Sequence, residues 1–240
     1  MPSTYLVTGA SRGIGQGLAT GVPLPGDTVW LVSRSQPSLL ERSDGVTRHW
    51  LRWDLRQPGI GAEIRRTLAD APLDALIYNA GIWERTAWSN SYRFEAIDPV
   101  EHQAVMAVNL ASAMESVQGA LPALRRAANP KVILIGSTSG LEHAATQEVA
   151  YSATKFALRG MAHALRHSLR DAAISVTCLN PGSVATHRLL DEGREAVLAE
   201  YGADLIPLQD LVDLVRTLLR LSRATCVKEI DLPAMGDRNC

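Results

Sequence analysis

The stretch TYLVTGASRGIG covers residues 4–15 and carries the pattern of a strand, a glycine-rich turn and the start of a helix. Its first half is a β-rich apolar run, which predicts a buried strand. Gly9, Gly13 and Gly15 then allow a tight turn and let backbone N–H groups approach a phosphate at a helix N-terminus. The spacing is not G-x-G-x-x-G, and glycines also simply end strands. The strand-then-helix context at the first βα turn nevertheless favours dinucleotide binding.

Seven short β-rich runs alternate with helical patterns along the chain. Several runs are almost continuously apolar, which is typical of parallel strands buried on both faces. Helices are predicted from Asp98-Pro99 onward, over 151–168 and over 209–221, whereas 187–207 is less regular. The pattern predicts a single-domain, doubly wound parallel α/β sheet over residues 1–240. The predicted strands are 4–8, 28–33, 48–53, 74–78, 131–135, 174–179 and 226–231.

Composition excludes several classes of protein. The 240 residues carry 24 Lys and Arg against 25 Asp and Glu, a net charge of -1 that favours neither nucleic acid nor an anionic membrane as partner. No apolar run is long enough to span a bilayer, and no signal peptide is evident. Cys178, Cys226 and Cys240 are odd in number and widely spaced. They suggest neither a disulfide framework nor a zinc site, and reduced thiols fit a cytoplasmic protein.

The end of the second predicted strand indicates which dinucleotide would bind. An acidic residue about 20 positions beyond the glycines holds the ribose 2′-hydroxyl of NAD, whereas an arginine accommodates the 2′-phosphate of NADP. Here Arg34 occupies that region beside Ser33, with no carboxylate, and Arg12 in the glycine loop adds a second positive charge. The alternative is two solvated surface arginines. We favour the phosphate interpretation because the fold rule brings both side chains to one small site.

Tyr151 and Lys155 lie in YSATK, one turn apart on a predicted helix. A nearby ammonium favours the phenolate and lowers the pKa of a tyrosine, which would suit it to proton transfer. Alone, the pair is an ordinary helix start. However, the strand ends in IYNAG (77–81), ILIGSTSG (133–140) and NPGSVAT (180–186) carry polar or glycine residues to the same sheet edge.

These motifs, in this order and with Asn109 between them, resemble the short-chain dehydrogenase/reductase family over nearly the whole chain. The resemblance implies a Rossmann-type sheet of strand order 3-2-1-4-5-6-7 that binds NAD(P)(H). It implies Tyr151 as general acid/base, Ser137 as hydrogen-bond donor to the substrate carbonyl, Lys155 as ribose-binding residue and Asn109 as support for a proton relay. The residues implied to bind the cofactor are Gly9, Ser11, Arg12, Gly13, Ile14, Gly15, Ser33, Arg34, Asp54, Leu55, Asn79, Ala80, Gly81, Tyr151, Lys155, Pro181, Gly182, Val184 and Thr186.

We therefore expect an NADPH-dependent reductase of ketones or aldehydes, with NADP(H) preferred over NAD(H), no metal and a small carbonyl or alcohol substrate. The resemblance also implies a homodimer or homotetramer. We expect Leu158, Met161, Leu165 and Leu169 to serve both core and interface. The alternative is a non-catalytic NADP(H)-sensing regulatory protein, which loss of Tyr151 or Lys155 would have favoured.

The sequence departs from the family pattern in three places. Tyr78 replaces the first Asn of the usual NNAG. The spacing from serine to tyrosine is one residue longer than expected, which leaves Ser139 as an alternative to Ser137. The segment from Asn79 to Asn109 is also longer than usual, and its aromatic residues either line a substrate pocket or cover the sheet edge. These aromatic residues are Trp83, Trp88, Tyr92 and Phe94.

Several other polar side chains are weaker candidates. His163 and His167 have a helical spacing that can bind a metal, but no third ligand is evident, so we expect ordinary helix residues. His143, Gln147 and His187 flank the predicted catalytic motifs. Each of them is a candidate to face the substrate, with an ordinary structural position as the alternative.

Overall fold

Seven parallel strands form one sheet in the computed structural model, which describes residues 2–142, 144, 146–188 and 190–238. The strand order is β3-β2-β1-β4-β5-β6-β7. The predicted doubly wound parallel sheet and its order are therefore confirmed. The strands are β1 (Thr4–Thr8), β2 (Thr28–Ser33), β3 (Thr47–Arg52), β4 (Ala75–Tyr78), β5 (Lys131–Ile135), β6 (Ser175–Pro181) and β7 (Glu229–Leu232).

Helices cover both faces of the sheet. Asp98 accepts a hydrogen bond from the Val100 N–H at 2.9 Å and so caps the third helix, as its sequence predicts. The segment 187–207 contains a regular helix, which the sequence pattern did not predict. The helices are α1 (Gly13–Gly21), α2 (Ile60–Leu68), α3 (Pro99–Met106), α4 (Ser112–Leu124), α5 (Val149–Ser168), α6 (Arg194–Tyr201) and α7 (Leu208–Arg220).

Two hydrophobic cores lie on opposite faces of the sheet. Successive strand residues point to opposite faces, so Leu6 joins one core and Val7 joins the other. The first core packs α2, α4 and α5 against the sheet, and the second packs α1 and α7. Every residue of β4 and β5 is buried, which explains why their sequences are apolar apart from Lys131 at the start of β5.

The parallel arrangement brings all strand carboxyl ends to one edge, where the loops of the predicted site lie.

The start of β7 lies later than predicted, at Glu229 rather than at Cys226. There the Thr177 hydroxyl donates to the Val227 carbonyl oxygen at 2.7 Å. Within the described ranges, each helix is too short or too polar to cross a bilayer.

Candidate active site

The glycine loop joins the end of β1 to the start of α1. Gly9 has a φ of 68°, in the left-handed region that favours glycine, and a Cβ there would lie 2.9 Å from the Cα of Ala80. A Cβ on Gly15 would lie 2.2 Å from the carbonyl oxygen of Gly9. A side chain at either position would push β1, β4 and α1 apart. The loop therefore lets α1 begin close to the sheet edge, where its free N–H groups favour an anion.

A cavity of about 550 Å³ runs along this edge of the sheet, past the ends of six strands. Its size is within the usual range for cofactor and ligand sites. It brings together residues that are far apart in the sequence. The sequence-predicted residues that line it are Gly9, Ser11, Arg12, Gly13, Ile14, Ser33, Arg34, Asp54, Leu55, Asn79, Ala80, Gly81, Ser137, Tyr151, Lys155, Pro181, Gly182 and Thr186.

Two predicted cofactor residues do not line the cavity. Gly15 packs against Gly9 and the Asn79 side chain, so its role is to allow close packing. Val184 pairs with Ile206 in an isolated parallel bridge and packs in a small core cluster. Both residues pack behind the residues that line the cavity.

Two arginine side chains lie at the β2 end of the cavity. The exposed side chains of Arg12 and Arg34 line it, and no carboxylate follows β2 directly. The Ser33 hydroxyl is occupied by the protein, because it donates to the Ser35 carbonyl at 2.7 Å and accepts from Trp50 Nε1 at 3.1 Å. The two arginines are therefore the predicted groups best suited to hold a phosphate here.

Sequence reasoning missed a third arginine at the same end. Arg56 lines the cavity and its Nε donates to the Asp54 carboxylate at 3.0 Å. This hydrogen bond is the main reason that the pKa of Asp54 lies below its ordinary value, and Arg34 adds to the effect. Arg56 lies two positions after Asp54, so the sequence itself indicates that the two side chains are neighbours. Trp83, for which the sequence offered a pocket or a sheet-covering role, also lines the cavity. The other lining residues that the sequence did not predict are Val32, Trp53, Ile82, Val108, Ile135 and Gly136.

Tyr151 lies in the first turn of α5, with a side chain that is almost fully buried. Burial raises its pKa above the ordinary value, a hydrogen bond with Ser137 opposes that rise, and the charge on Glu148 adds to it. The net shift is thus opposite to the lowering by Lys155 that the sequence predicts, because burial of the phenol disfavours its charged form. The Lys155 Nζ lies 5.4 Å from the centre of the Tyr151 ring.

Lys155 is 4% exposed, and its Nζ donates to the Ile135 carbonyl oxygen at 3.0 Å. Burial lowers its pKa to about 8. The ammonium is thus held at the carboxyl end of β5, between the tyrosine and the strand. From this position it faces the cavity from the same side as Tyr151.

The two candidate serines lie in different surroundings. Ser137 lines the cavity with Tyr151, and its Oγ accepts from the Ser139 N–H at 3.2 Å. Ser139 lines a neighbouring cavity of about 530 Å³, and its carbonyl accepts from the Ser152 hydroxyl at 2.8 Å. The structure therefore places Ser137, and not Ser139, in the cavity that Tyr151 lines.

Asn109 is completely buried in a π-helical turn, Ala107–Ala111, that joins α3 to α4. Its Oδ1 accepts from the Ile82 N–H at 2.8 Å, and its Nδ2 donates to the Ile82 carbonyl at 2.8 Å and to the Thr154 hydroxyl at 3.0 Å. The amide thus clamps the chain after β4 to α5. It does not line the cavity directly.

Tyr78, the departure from the NNAG pattern, reaches this same π-helical turn. Its hydroxyl donates to the Val108 carbonyl and lies 2.5 Å from the Ser112 Oγ, and the residue is fully buried. The Ser112 hydroxyl donates to the same Val108 carbonyl oxygen at 2.8 Å. Tyr78 thus contacts the residue before Asn109 and supports the turn that positions the amide.

We predict that Tyr78→Phe lowers the free energy of unfolding by about 1–2 kcal/mol, because it removes a buried donor from the Val108 carbonyl. Urea denaturation measures the change. Tyr5→Phe is the matched control, since Tyr5 lies at the start of β1 and is only partly buried. An unchanged stability for Tyr78→Phe would show that the hydroxyl does not support the turn.

The histidine candidates lie in different parts of the fold. His163 and His167 lie on exposed positions of α5, with ring centres 5.6 Å apart. Among the described residues, no group of three or more potential ligands is present. His187 lines the cavity and its Nε2 lies 2.6 Å from the Tyr201 hydroxyl, whereas Gln147 lines the neighbouring cavity. His143 lies outside the described residues.

Known proteins share sequence and fold with this chain. The model of the short chain dehydrogenase family matches residues 3–195. A 3-oxoacyl-(acyl-carrier-protein) reductase of rhamnolipid biosynthesis from Pseudomonas aeruginosa is 32% identical over 187 residues, which cover 74% of this chain and 71% of that protein.

Two solved structures share the fold. A 3-oxoacyl-(acyl-carrier protein) reductase from Brucella melitensis, in complex with NAD, superimposes with a TM-score of 0.79 at 22% identity, covering 96% of this chain and 95% of that one. A metagenomic short-chain oxidoreductase in complex with NADP gives a TM-score of 0.75 at 24% identity, covering 98% of each chain. The family match, the relative and the shared fold together show that this chain is an oxidoreductase of the short chain dehydrogenase family, as its motifs predicted.

Proposed function

We propose that the protein is an NADPH-dependent reductase of ketones or aldehydes. One observation carries the proposal: Ser137, Tyr151 and Lys155 line the same cavity as the glycine loop. A buried tyrosine near a serine hydroxyl can donate a proton to a carbonyl oxygen, and the glycine loop in the same cavity suits a dinucleotide phosphate. The relative from Pseudomonas aeruginosa is named for reduction of a 3-oxoacyl group, which is also a ketone.

The lining fits NADPH on three counts. The glycine loop and the start of α1 suit a pyrophosphate. Arg12 and Arg34 suit a 2′-phosphate, and the Asp54 carboxylate at that end is already paired with Arg56. The same fold holds NAD in the Brucella melitensis structure and NADP in the metagenomic one, so the proposed preference rests on the two arginines.

When bound, NADPH supplies the hydride that adds to the carbonyl carbon. In our proposal the Ser137 hydroxyl donates a hydrogen bond to the carbonyl oxygen, which stabilises the negative charge that develops there. Tyr151 then transfers its phenolic proton to that oxygen, so the products are the alcohol and NADP⁺. Because burial raises the pKa of Tyr151, the phenol keeps its proton at neutral pH and is ready to act as the acid. Lys155 holds a positive charge nearby, which compensates the phenolate left after transfer.

Turnover tests the function directly. Purified protein is screened for NADPH oxidation with aliphatic ketones, aromatic ketones, aldehydes and a 3-oxoacyl thioester. We expect oxidation that depends on one or more of these carbonyl compounds. Absence of carbonyl-dependent oxidation across the whole panel would contradict the proposal.

We predict that Arg34→Ala weakens NADPH binding about 10- to 100-fold, as loss of hydrogen bonds between charged groups implies. NADH lacks the 2′-phosphate, so its dissociation constant is expected to change less than about threefold. Fluorescence titration with both dinucleotides measures the two constants. Tighter binding of NADH than of NADPH by the unmodified protein would refute the preference, as would an Arg34→Ala variant with unchanged NADPH affinity.

We also propose that the chain forms a homo-oligomer through the outer faces of α5 and of the helical stretch made by α3, the π-helical turn and α4. Leu158 and Leu169 are buried in the core and Met161 and Leu165 pack against it, so this set does not present the interface that we expected. The outward apolar groups are instead Met106, Met114 and Phe156, which are 43%, 48% and 40% exposed. Light scattering on the purified protein distinguishes a monomer from a dimer or tetramer.

A further inference from the structure

The aromatic segment that follows β4, residues 83–94, contains two tryptophans that contact Tyr151 and two other aromatic residues that do not. Trp83 and Trp88 approach Tyr151 edge-on, with ring centres 6.2 and 5.2 Å from the phenol, and contact each other at 4.9 Å. Phe94 instead stacks on His102, at 5.6 Å, away from the site. Tyr92 is buried and accepts from a backbone N–H. Only the two tryptophans therefore surround the tyrosine.

Two buried carboxylates fix this segment to the start of α5. Glu84 is fully buried, and its Oε1 accepts from the Ala150 N–H at 2.9 Å. Glu148 is 4% exposed, and its Oε1 accepts from the Trp88 N–H at 2.8 Å. Negative charge is favoured at a helix N-terminus. The contacts place both tryptophans at a defined position beside the first turn of α5, which carries Tyr151.

The indole rings are exposed in spite of this rigid attachment. Trp83 is 50% exposed and lines the main cavity, whereas Trp88 is 56% exposed and lines the neighbouring one. Trp88 also has a φ of 57°, a left-handed conformation that is uncommon outside glycine and that clusters at ligand sites. A core or sheet-covering role would bury these rings. Their exposed surfaces are instead available to a molecule beside the Tyr151 hydroxyl.

We propose that Trp83 and Trp88 form a binding subsite for an aromatic ring attached to the carbonyl carbon of the substrate. The proposal rests on the carbonyl reductase function proposed above and names its substrate class. The carbonyl oxygen lies at Ser137 and Tyr151, and the ring lies against the indoles. Aromatic pairs gain energy from edge-to-face or offset contacts, beyond the gain from buried area. A planar ring therefore binds better than a saturated ring of the same size.

Acetophenone and cyclohexyl methyl ketone provide the test, because they have the same number of carbon atoms and differ in the ring. Trp88→Leu is expected to lower kcat/KM for acetophenone about tenfold, with a change below about threefold for the cyclohexyl ketone. Trp88→Phe restores most of the loss. Phe94→Leu is the control on the same segment, and it changes neither substrate. Equal losses for both ketones in Trp88→Leu would overturn the subsite.

Binding separates this proposal from the proposed function. NADP⁺ cannot reduce a ketone, so calorimetry with acetophenone and NADP⁺ reports affinity without turnover. Weaker acetophenone binding in Trp88→Leu, with cyclohexyl methyl ketone unaffected, supports the subsite even if the enzyme reduces neither ketone. A protein that reduces other carbonyl compounds but binds neither ketone refutes the subsite and leaves the reductase function in place.

Discussion

Tyr151→Phe is expected to lower kcat for carbonyl reduction about 1,000-fold, within the 10²- to 10⁴-fold range of general acid catalysis. The change removes one hydroxyl and keeps the ring that packs against Trp83 and Trp88. The Ser137 hydroxyl and the hydride donor remain, so some slow reduction persists. Steady-state rates with NADPH and the best carbonyl compound of the panel measure the loss.

Two measurements show whether the loss is chemical. The dissociation constant for NADPH should change less than about threefold, because the phenol hydroxyl contributes little to dinucleotide affinity compared with the charged contacts. Tyr5→Phe, on a partly buried tyrosine at the far end of β1, should retain full activity. If Tyr151→Phe keeps the wild-type rate, another group supplies the proton and the proposed mechanism fails.

Ser137→Ala is expected to lower kcat/KM by about 10² to 10³, the usual cost of losing one donor to a developing oxyanion. Ser139→Ala should lower it less than about threefold, because the Ser139 side chain lines the neighbouring cavity. The two variants remove the same kind of hydroxyl group from positions two residues apart, so each is the control for the other. The reverse order of effects would assign catalysis to Ser139.

Most of the fold could be predicted because local patterns and global topology agree. The apolar runs of β4 and β5 predict strands buried on both faces, and both strands are completely buried. The start of β7 was predicted too early, since the Cys226–Lys228 stretch has β-forming residues but lies outside the strand. Pairing with β6, which no local pattern encodes, sets the observed boundary.

The candidate site was predictable where a motif fixes both residue type and backbone shape. The glycine loop, Ser137, Tyr151 and Lys155 are examples. Of the residues predicted from these motifs, every one except Gly15 lines the cavity. The role of Tyr78 could not be predicted, because it depends on a π-helical turn that is remote in sequence. The effect of Lys155 on Tyr151 was also misjudged, since a sequence shows charge spacing but not the burial that dominates the phenol pKa.

The attachment of the aromatic segment has a consequence for how substrate preference can evolve. Its backbone is secured by Glu84 and Glu148, whose contacts do not involve the indole rings. The side chains at positions 83 and 88 can therefore be exchanged without releasing the backbone that holds them beside α5. These two positions are suitable targets for directed evolution toward new substrates, whereas mutation of the two glutamates would detach the segment from α5.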